Sequence, residues 1–262
     1  MNKKHLPQTP RELRWLMASV EAIKQWIKER QTLVVGCGVL KGGTGKSTTI
    51  LYLALWFSWS LGLKVGVIDT DNNSQSLGNW CRAHAALGEK IPFELIEHNP
   101  KDPNGPTLEK RIKQLRGSFD VLLVDLGGGD RETFTDFCIL GDLLLMPSAP
   151  SGWETSRIQA TLQTAARAAR LNEHGLTVYM FFVKCNFQTT LPEEQRAVLE
   201  TDLSEIDEDF IPVPLVHPYF DISGTPHYVR SHEVTPRRSQ LHEFGELMRH
   251  AMVEIMKEEE AA

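Results

Sequence analysis

The strongest constraint on the fold is a glycine-rich segment, residues 41–49 (KGGTGKSTT), that lies between two apolar stretches. It follows a β-branched run, residues 32–39, that predicts a buried strand, and it leads into an uncharged stretch, residues 47–63, that predicts a buried helix. Glycines between a strand and a helix let successive backbone N–H groups turn toward one point, where the positive end of the helix also lies. The sequence therefore predicts a phosphate-binding loop.

Within this loop, each residue type has a distinct expected role. The Lys46 ammonium group would reach the β- and γ-phosphates of a nucleotide, and the Ser47 hydroxyl would bind Mg²⁺. Backbone amides would supply most of the remaining phosphate contacts. The expected nucleotide-binding residues of the loop are Gly42, Gly43, Thr44, Gly45, Lys46, Ser47 and Thr48. The alternative, a glycine-rich turn that binds nothing, is disfavoured by the predicted strand before it and the predicted helix after it.

Two further predicted strands end in carboxylates. The run 64–68 leads into Asp69-Thr70-Asp71, and the mostly apolar run 119–124 leads into Asp125. The carboxyl ends of parallel strands meet at one edge of a sheet, where α/β folds bind their ligands. We therefore expect Asp125 to hold Mg²⁺ through a water and Asp71 to contact the attacking water. A lone D-x-D is as often a strand-end cap, but its place behind the phosphate loop favours the functional interpretation.

Strict phosphate-binding loops follow the pattern G-x-x-x-x-G-K-[ST], whereas Leu40 stands here at the first glycine position and a second lysine, Lys41, follows it. The resulting K-G-G-x-G-K-[ST] pattern resembles the deviant Walker A motif of the ParA/MinD partitioning and positioning ATPases, and the resemblance covers roughly residues 32–190. It implies that Lys41 reaches the phosphates held by the other subunit of an ATP-closed homodimer, and that Asp71 positions the attacking water. It also implies that Asn186 contacts the adenine, although an asparagine after a strand is equally typical of a turn cap.

Two stretches depart from the family pattern. Asn72-Asn73 replaces the Pro-Gln that follows the D-x-D element, and Gly127-Gly128-Gly129 lies where the family has a proline-containing turn. Three glycines still allow a tight turn near the γ-phosphate that responds to its loss. The departures leave open a protein that uses nucleotide only to gate dimerisation. Because no N-K-x-D guanine motif is present, the resemblance indicates ATP rather than GTP.

Strands and helices alternate along the chain, which predicts an α/β fold with a mostly parallel twisted sheet flanked by helices, a P-loop NTPase of the deviant Walker A class. Residues 217–236 are predicted to form a long irregular loop. Residues 9–30 predict an amphipathic helix, so we divide the chain into an N-terminal helical extension, 1–30, and a P-loop ATPase domain, 31–262. The remaining predicted strands are 93–96, 142–146, 177–183 and 210–216, and the remaining predicted helices are 107–116, 153–172, 192–203 and 240–257.

Charge and cysteine usage indicate the kind of protein and the cellular compartment to expect. The formal net charge of −6 argues against a surface coated in basic residues. The four cysteines form no C-x-x-C pair, and their spacing fits neither a zinc site nor a disulfide framework. No apolar segment typical of a signal peptide begins the chain. We therefore expect a reduced, cytoplasmic protein.

The resemblance implies a ParA-like ATPase with ATP and Mg²⁺ as cofactors. ATP would close a homodimer, and a partner protein would stimulate slow hydrolysis. The cycle would partition or position plasmid or chromosomal DNA, or another large cargo, through nonspecific DNA binding. The candidate DNA-binding residues are Arg230, Arg237 and Arg238. A polar loop or a protein-binding surface is an equally good interpretation of that basic stretch.

Three alternatives remain. The first is a nucleotide-gated adaptor in plasmid stability or conjugation. The second is a MinD-like positioning ATPase, but the acidic residues 258–260 would be repelled by an anionic bilayer, so a membrane partner is not expected. The third is a metabolic enzyme on the same fold, for which we find no small-substrate motif.

Overall fold

A parallel sheet runs through the part of the chain that the structure describes. The computed structural model describes residues 20–40, 44–71, 75–88, 90–155, 158–185, 189–204, 214–223, 244–249, 251–252 and 255–256. The strands are β1 (Leu33–Cys37), β2 (Val65–Asp69), β3 (Glu94–Glu97), β4 (Val121–Asp125), β5 (Leu143–Ser148), β6 (Thr177–Cys185) and β7 (Pro214–Ser223). These seven strands have the order β3-β2-β4-β1-β5-β6-β7, and each neighbouring pair is parallel. The predicted α/β fold with a mostly parallel sheet is confirmed.

The helices of the described residues cover this sheet. Among them are α1 (Val20–Glu29), α2 (Lys46–Leu55), α3 (Ser76–Ala86), α4 (Leu108–Leu115), α5 (Arg131–Leu140), α6 (Gly152–Thr155), α7 (Ile158–Ala169) and α8 (Leu191–Ser204). Residues 244–249, 251–252 and 255–256, within the predicted helix 240–257, are also helical. A π-helical turn, Trp56–Ser60, continues α2. The sequence pattern predicted neither α3 nor α5. Their buried faces include small or polar residues such as Gly78, His84 and Thr133, which a pattern of large apolar side chains does not detect.

Strand β1 shows why both faces of the sheet carry helices. Leu33 and Val35 belong to the apolar cluster that contains α2, whereas Val34 belongs to the cluster that contains α5. Successive strand residues point to opposite faces, so a strand covered on both sides must be apolar throughout. A Cβ atom on Gly36 would lie 2.4 Å from the Phe137 ring, so the glycine allows α5 to pack directly on β1.

The N-terminal helix α1 packs on the body of the sheet. Its Ile23 and Ile27 side chains are 1% and 0% exposed and lie in the same apolar cluster as Leu33. Residues 1–19 lie outside the described residues. The division into an extension, 1–30, and an ATPase domain, 31–262, therefore stays a prediction, with α1 in contact with that domain.

The predicted loop 217–236 is wrong at its beginning, because β7 extends through residue 223. This strand comes last in the sheet order and pairs with β6. Proline removes a hydrogen-bond donor, which an outer strand tolerates better than a central one. Register shifts between Met180 and Phe182 and between Val183 and Cys185 further accommodate the pairing. Residues 224–236 lie outside the described residues.

The cysteines and the helices have two further features. Cys37, Cys81, Cys138 and Cys185 are all buried and free, which agrees with the absence of a disulfide framework. Within the described ranges, no helix combines the length and the apolar character needed to cross a bilayer.

Candidate nucleotide-binding site

The chain turns sharply at Gly45 as it enters α2. Gly45 has φ of 87° and ψ of 14°, a left-handed conformation that glycine adopts without steric cost. Its carbonyl oxygen accepts hydrogen bonds from the Thr49 N–H group and from the Thr49 hydroxyl, both at 2.9 Å. The first amides of any α-helix have no acceptor within the helix, and the helix dipole adds positive charge there. The start of α2 is therefore suited to bind an anion.

Two polar side chains at this turn are buried. Lys46 is 7% exposed and Thr44 is 1% exposed. The Thr44 hydroxyl oxygen has no hydrogen-bond partner among the described residues. Burying an ammonium group is costly unless negative charge lies near it, and Lys46 interacts electrostatically with Asp125. Lys46 and Asp125 therefore lie close enough to interact electrostatically, and their expected roles at phosphate and Mg²⁺ stay predictions.

Asp125, the last residue of β4, is a deeply buried carboxylate at 1% exposure. Neither of its oxygens has a hydrogen-bond partner of ordinary geometry within the described residues. Burial raises the pKa of Asp125 to about 7; the Ser47 hydroxyl and Lys46 oppose the rise, and Asp69 adds to it. A buried carboxylate with so few partners is chemically suited to a cation or a cation-bound water.

The donor set fits Mg²⁺ in particular. Among the described residues, no group of three or more His, Cys, Asp or Glu side chains is arranged to hold a metal ion. Mg²⁺ is commonly bound by one or two protein oxygens together with phosphate oxygens and waters. The Ser47 hydroxyl and the Asp125 carboxylate are such oxygens, so they would hold Mg²⁺ only together with a nucleotide.

Strand β2 brings two more carboxylates to the same edge. Asp69 pairs with Asp125 in the register of β2 and β4. Asp69 is 6% exposed, and its pKa is raised by burial. Its Oδ1 atom accepts a hydrogen bond of 3.0 Å from the N–H group of Asp71, which is half-buried. Asp71 therefore follows β2 at the edge where Asp125 ends β4, as predicted.

Thr70 links the ends of β2 and β4, a role that sequence reasoning missed. Its hydroxyl donates to the Asp125 carbonyl oxygen at 2.8 Å and accepts from the Gly127 N–H group at 2.9 Å. The Thr70 N–H group donates to the same Asp125 oxygen at 3.1 Å. No sequence signal identifies these contacts, because they depend on which strand neighbours β2 and in which register.

A cavity of about 520 Å³ opens beside these loops. The ends of β2 and β3, the glycine loop after β4 and the first turns of α4 and α5 surround it. Its lining includes Thr70, Asp71, His98, Gly127, Gly128 and Gly129. The glycine loop therefore borders this cavity.

The described ranges contain some of the predicted site residues and not others. Those that lie outside the described residues are Lys41, Gly42, Gly43, Asn186, Arg230, Arg237 and Arg238. Thr48 is half-buried on the first turn of α2. The roles assigned to all of these residues stay predictions.

Comparison with known proteins agrees with this geometry. The profile of the ATPase MipZ family matches residues 32–153, a range that contains the glycine-rich loop, Asp71 and Asp125. No curated protein matches the sequence significantly.

Solved structures match over most of the chain at low identity. The structure of pNOB8 ParA bound to nonspecific DNA is 16% identical, with 87% of this chain and 99% of that chain covered and a TM-score of 0.58. Cobyrinic acid a,c-diamide synthase from Mycobacterium smegmatis, with bound ADP and magnesium, is 15% identical, with coverage of 86% and 96% and a TM-score of 0.58. The cell division ATPase MinD from Pyrococcus furiosus is 17% identical, with coverage of 86% and 98% and a TM-score of 0.55.

The structural matches establish the fold. The residues that match the ATPase family profile include the glycine-rich loop and the strand ends at Asp69 and Asp125. Together they confirm the resemblance that the K-G-G-x-G-K-[ST] pattern indicated. Over residues 32–153 the chain matches the ATPase MipZ family, and its described sheet has the fold of the ParA/MinD-type P-loop ATPases.

Proposed function

We propose that this chain is an Mg²⁺-dependent ATPase that closes a homodimer on ATP binding and positions DNA or another large cargo. The observation that carries the proposal is the burial of Lys46 and Asp125, two oppositely charged side chains that interact electrostatically at the end of β4. Both side chains are buried, they belong to adjacent elements, and the Asp125 carboxylate has no hydrogen-bond partner of ordinary geometry within the described residues. Such an arrangement is costly unless a ligand completes it.

A bound nucleotide and its Mg²⁺ would each contact particular side chains of this site. Lys46 would bind the β- and γ-phosphates, and its burial would strengthen that attraction because the local dielectric constant is low. Ser47 and Asp125 would hold Mg²⁺, which supplies positive charge to the transferring phosphoryl group. Asp71 would accept a hydrogen bond from the attacking water and orient it toward the γ-phosphate.

Dimerisation and DNA binding are the finer parts of the proposal. Lys41 would reach the phosphates bound by the other subunit, so that the closed dimer depends on the γ-phosphate. Arg230, Arg237 and Arg238 would contact DNA phosphates, a mode that reads no sequence and weakens with salt. The structure of pNOB8 ParA, which has the same fold, contains nonspecific DNA and supports this part.

A partner protein would then set the lifetime of the closed state. ATP would shift the equilibrium from monomer to dimer, and hydrolysis would reverse the shift. If the partner accelerates hydrolysis only where cargo is present, the dimer is released there and a spatial pattern follows.

Binding to nonspecific duplex DNA tests the cargo part of this proposal. It would be measured at low and moderate salt with ATP, with ADP and without nucleotide. We expect ATP-dependent, salt-sensitive binding that a variant with Arg230, Arg237 and Arg238 changed to Ala loses while it still forms the ATP-dependent dimer. ATP-dependent dimerisation without DNA binding would contradict DNA as the target and direct attention to a protein surface.

A further inference from the structure

Thr70 occupies the position between the two carboxylates of the D-x-D element and is 4% exposed. Its hydroxyl uses both of its hydrogen-bonding functions at once. It donates to the Asp125 carbonyl oxygen at 2.8 Å and accepts from the Gly127 N–H group at 2.9 Å. A single side-chain oxygen directly after β2 therefore contacts two backbone groups, one on the last residue of β4 and one on the segment that follows it.

These contacts lie where two functional loops begin. The residue after Thr70 is Asp71, which we expect to orient the attacking water. The residues after Asp125 lead into the glycine loop, Gly127–Gly129, which we expect to lie near the γ-phosphate. The loops also pack against each other: a Cβ atom at Gly127 would lie 3.5 Å from the Thr70 carbonyl oxygen and 3.6 Å from the Asp71 Cα atom.

The chemistry of a buried hydroxyl favours joint movement of the two loops. If the glycine loop moved alone, the Thr70 hydroxyl would lose its donor, and a buried polar group left unpaired is costly. The same displacement would pull on the main chain one residue before Asp71. The backbone bond from the Thr70 N–H group to the Asp125 oxygen, at 3.1 Å, provides a second anchor that keeps the two strand ends in register.

We propose that Thr70 is a positioning residue that couples the glycine loop to Asp71. Through this coupling, the presence or loss of the γ-phosphate near Gly127–Gly129 changes the orientation of the Asp71 carboxylate, which positions the attacking water. The inference rests on the proposed ATPase function. Thr70 does not touch the nucleotide in this role; it acts through Asp71. Loss of the hydroxyl should therefore slow hydrolysis without weakening nucleotide binding, which Lys46 and the loop amides provide.

Two substitutions separate this role from a structural one. Thr70→Val keeps the shape of the side chain and removes the hydroxyl, whereas Thr70→Ser keeps the hydroxyl and removes a methyl group. With the full-length protein, we expect Thr70→Val to lower kcat roughly tenfold, the size of one or two buried hydrogen bonds. Its ADP dissociation constant should stay within about twofold of wild type, and Thr70→Ser should recover most of the lost rate. An unchanged kcat in Thr70→Val would overturn the proposal, and so would parallel losses of kcat and ADP affinity that Ser fails to rescue.

A nucleotide-free measurement distinguishes failure of this inference from failure of the proposed ATPase function. Amide hydrogen exchange of the apo protein reports Gly127, whose N–H group donates to Thr70, and Asp71, whose N–H group donates to Asp69. In Thr70→Val, we expect exchange to accelerate several-fold at both positions, and in Thr70→Ser at neither. Faster exchange at Gly127 alone, with Asp71 unchanged, would show that the loops are not coupled, whether or not the wild-type protein hydrolyses ATP.

Discussion

Asp69 and Asp125 stand opposite each other at the carboxyl ends of the adjacent strands β2 and β4. Both are buried, burial raises the pKa of each, and the charge of Asp69 raises the pKa of Asp125 further. Lys46, on the first turn of α2, acts in the opposite direction and lowers the pKa of Asp125. Among the described residues, the negative charge at this sheet edge is only partly compensated, as expected of a site completed by Mg²⁺ and a nucleotide.

The first prediction concerns stability and pH. Asp125 has an ordinary pKa of 3.8 and a folded-state pKa of about 7, so the folded protein binds this proton more tightly than the unfolded chain. Its stabilising contribution is complete below pH of about 4 and is lost as pH rises through about 7. We expect the free energy of unfolding of the nucleotide-free protein, measured in urea, to fall over that interval.

The substitution Asp125→Asn tests the same point. It should remove this part of the pH dependence and stabilise the nucleotide-free protein at pH of about 8 by at most about 4 kcal/mol. Asp102→Asn, the same change at an exposed position, serves as the matched control. An Asp125→Asn variant less stable than wild type at alkaline pH would contradict the assignment of Asp125 as a buried, poorly compensated charge.

The second prediction concerns the turn into α2. Gly45→Ala should cost about 1–2 kcal/mol because an alanine is strained at φ of 87°. Space is not the cause, since the added Cβ atom would lie 3.6 Å from its nearest neighbour, on Val183. Gly152→Ala is the control, because its Cβ atom would meet nothing within 4 Å and its φ is not left-handed. Thermal unfolding measures the cost, and equal midpoints for the two variants would argue against a strained turn.

The third prediction concerns α1. Ile23→Ala and Ile27→Ala should each cost about 2–5 kcal/mol, because both side chains are buried in the core. Val20→Ala, on the same helix but 40% exposed, should cost far less. ATP affinity, measured well below the unfolding transition, should stay unchanged in all three because no expected phosphate ligand lies before β1. Reduced ATP affinity in a folded Ile23→Ala protein would show that α1 shapes the nucleotide site.

The fourth prediction distinguishes an ATPase from a nucleotide-gated adaptor. In single-turnover hydrolysis, Asp71→Ala should be slower than wild type by about a hundredfold, the typical contribution of a positioned carboxylate. ADP binding should be unaffected, since Asp71 is expected to contact the water rather than the base or the phosphates. Equal hydrolysis rates in the two proteins would favour the adaptor.

Strong local patterns made much of the fold predictable. The buried runs that end at Cys37, Asp69 and Asp125 became β1, β2 and β4, because strands covered on both faces must be continuously apolar. Helices α3 and α5 were missed, since their buried faces mix small or polar residues with the large apolar ones and so weaken the apolar pattern. The far end of β7 was missed because its prolines suggested a loop, whereas its outer place in the sheet allows them.

The site was predictable where chemistry alone identifies a residue. The strand–loop–helix context located Lys46 and Ser47, and the end of an apolar strand located Asp125; their roles at phosphate and Mg²⁺ stay predictions. Thr70 was not predictable, because its role arises from β2 lying beside β4 in a register that pairs Asp69 with Asp125. Tertiary pairing of this kind leaves no trace in local sequence spacing.

The most direct test of the site is calorimetric titration of the protein with ATP, with and without Mg²⁺. Wild type is compared with Lys46→Ala and with Lys113→Ala, an exposed lysine on α4 paired with Glu109. We expect Mg²⁺-dependent ATP binding by wild type and by Lys113→Ala, and its loss in Lys46→Ala. Equal binding by Lys46→Ala and Lys113→Ala, or no ATP binding by the wild-type protein, would contradict the assignment of the Lys46–Asp125 site as a nucleotide site.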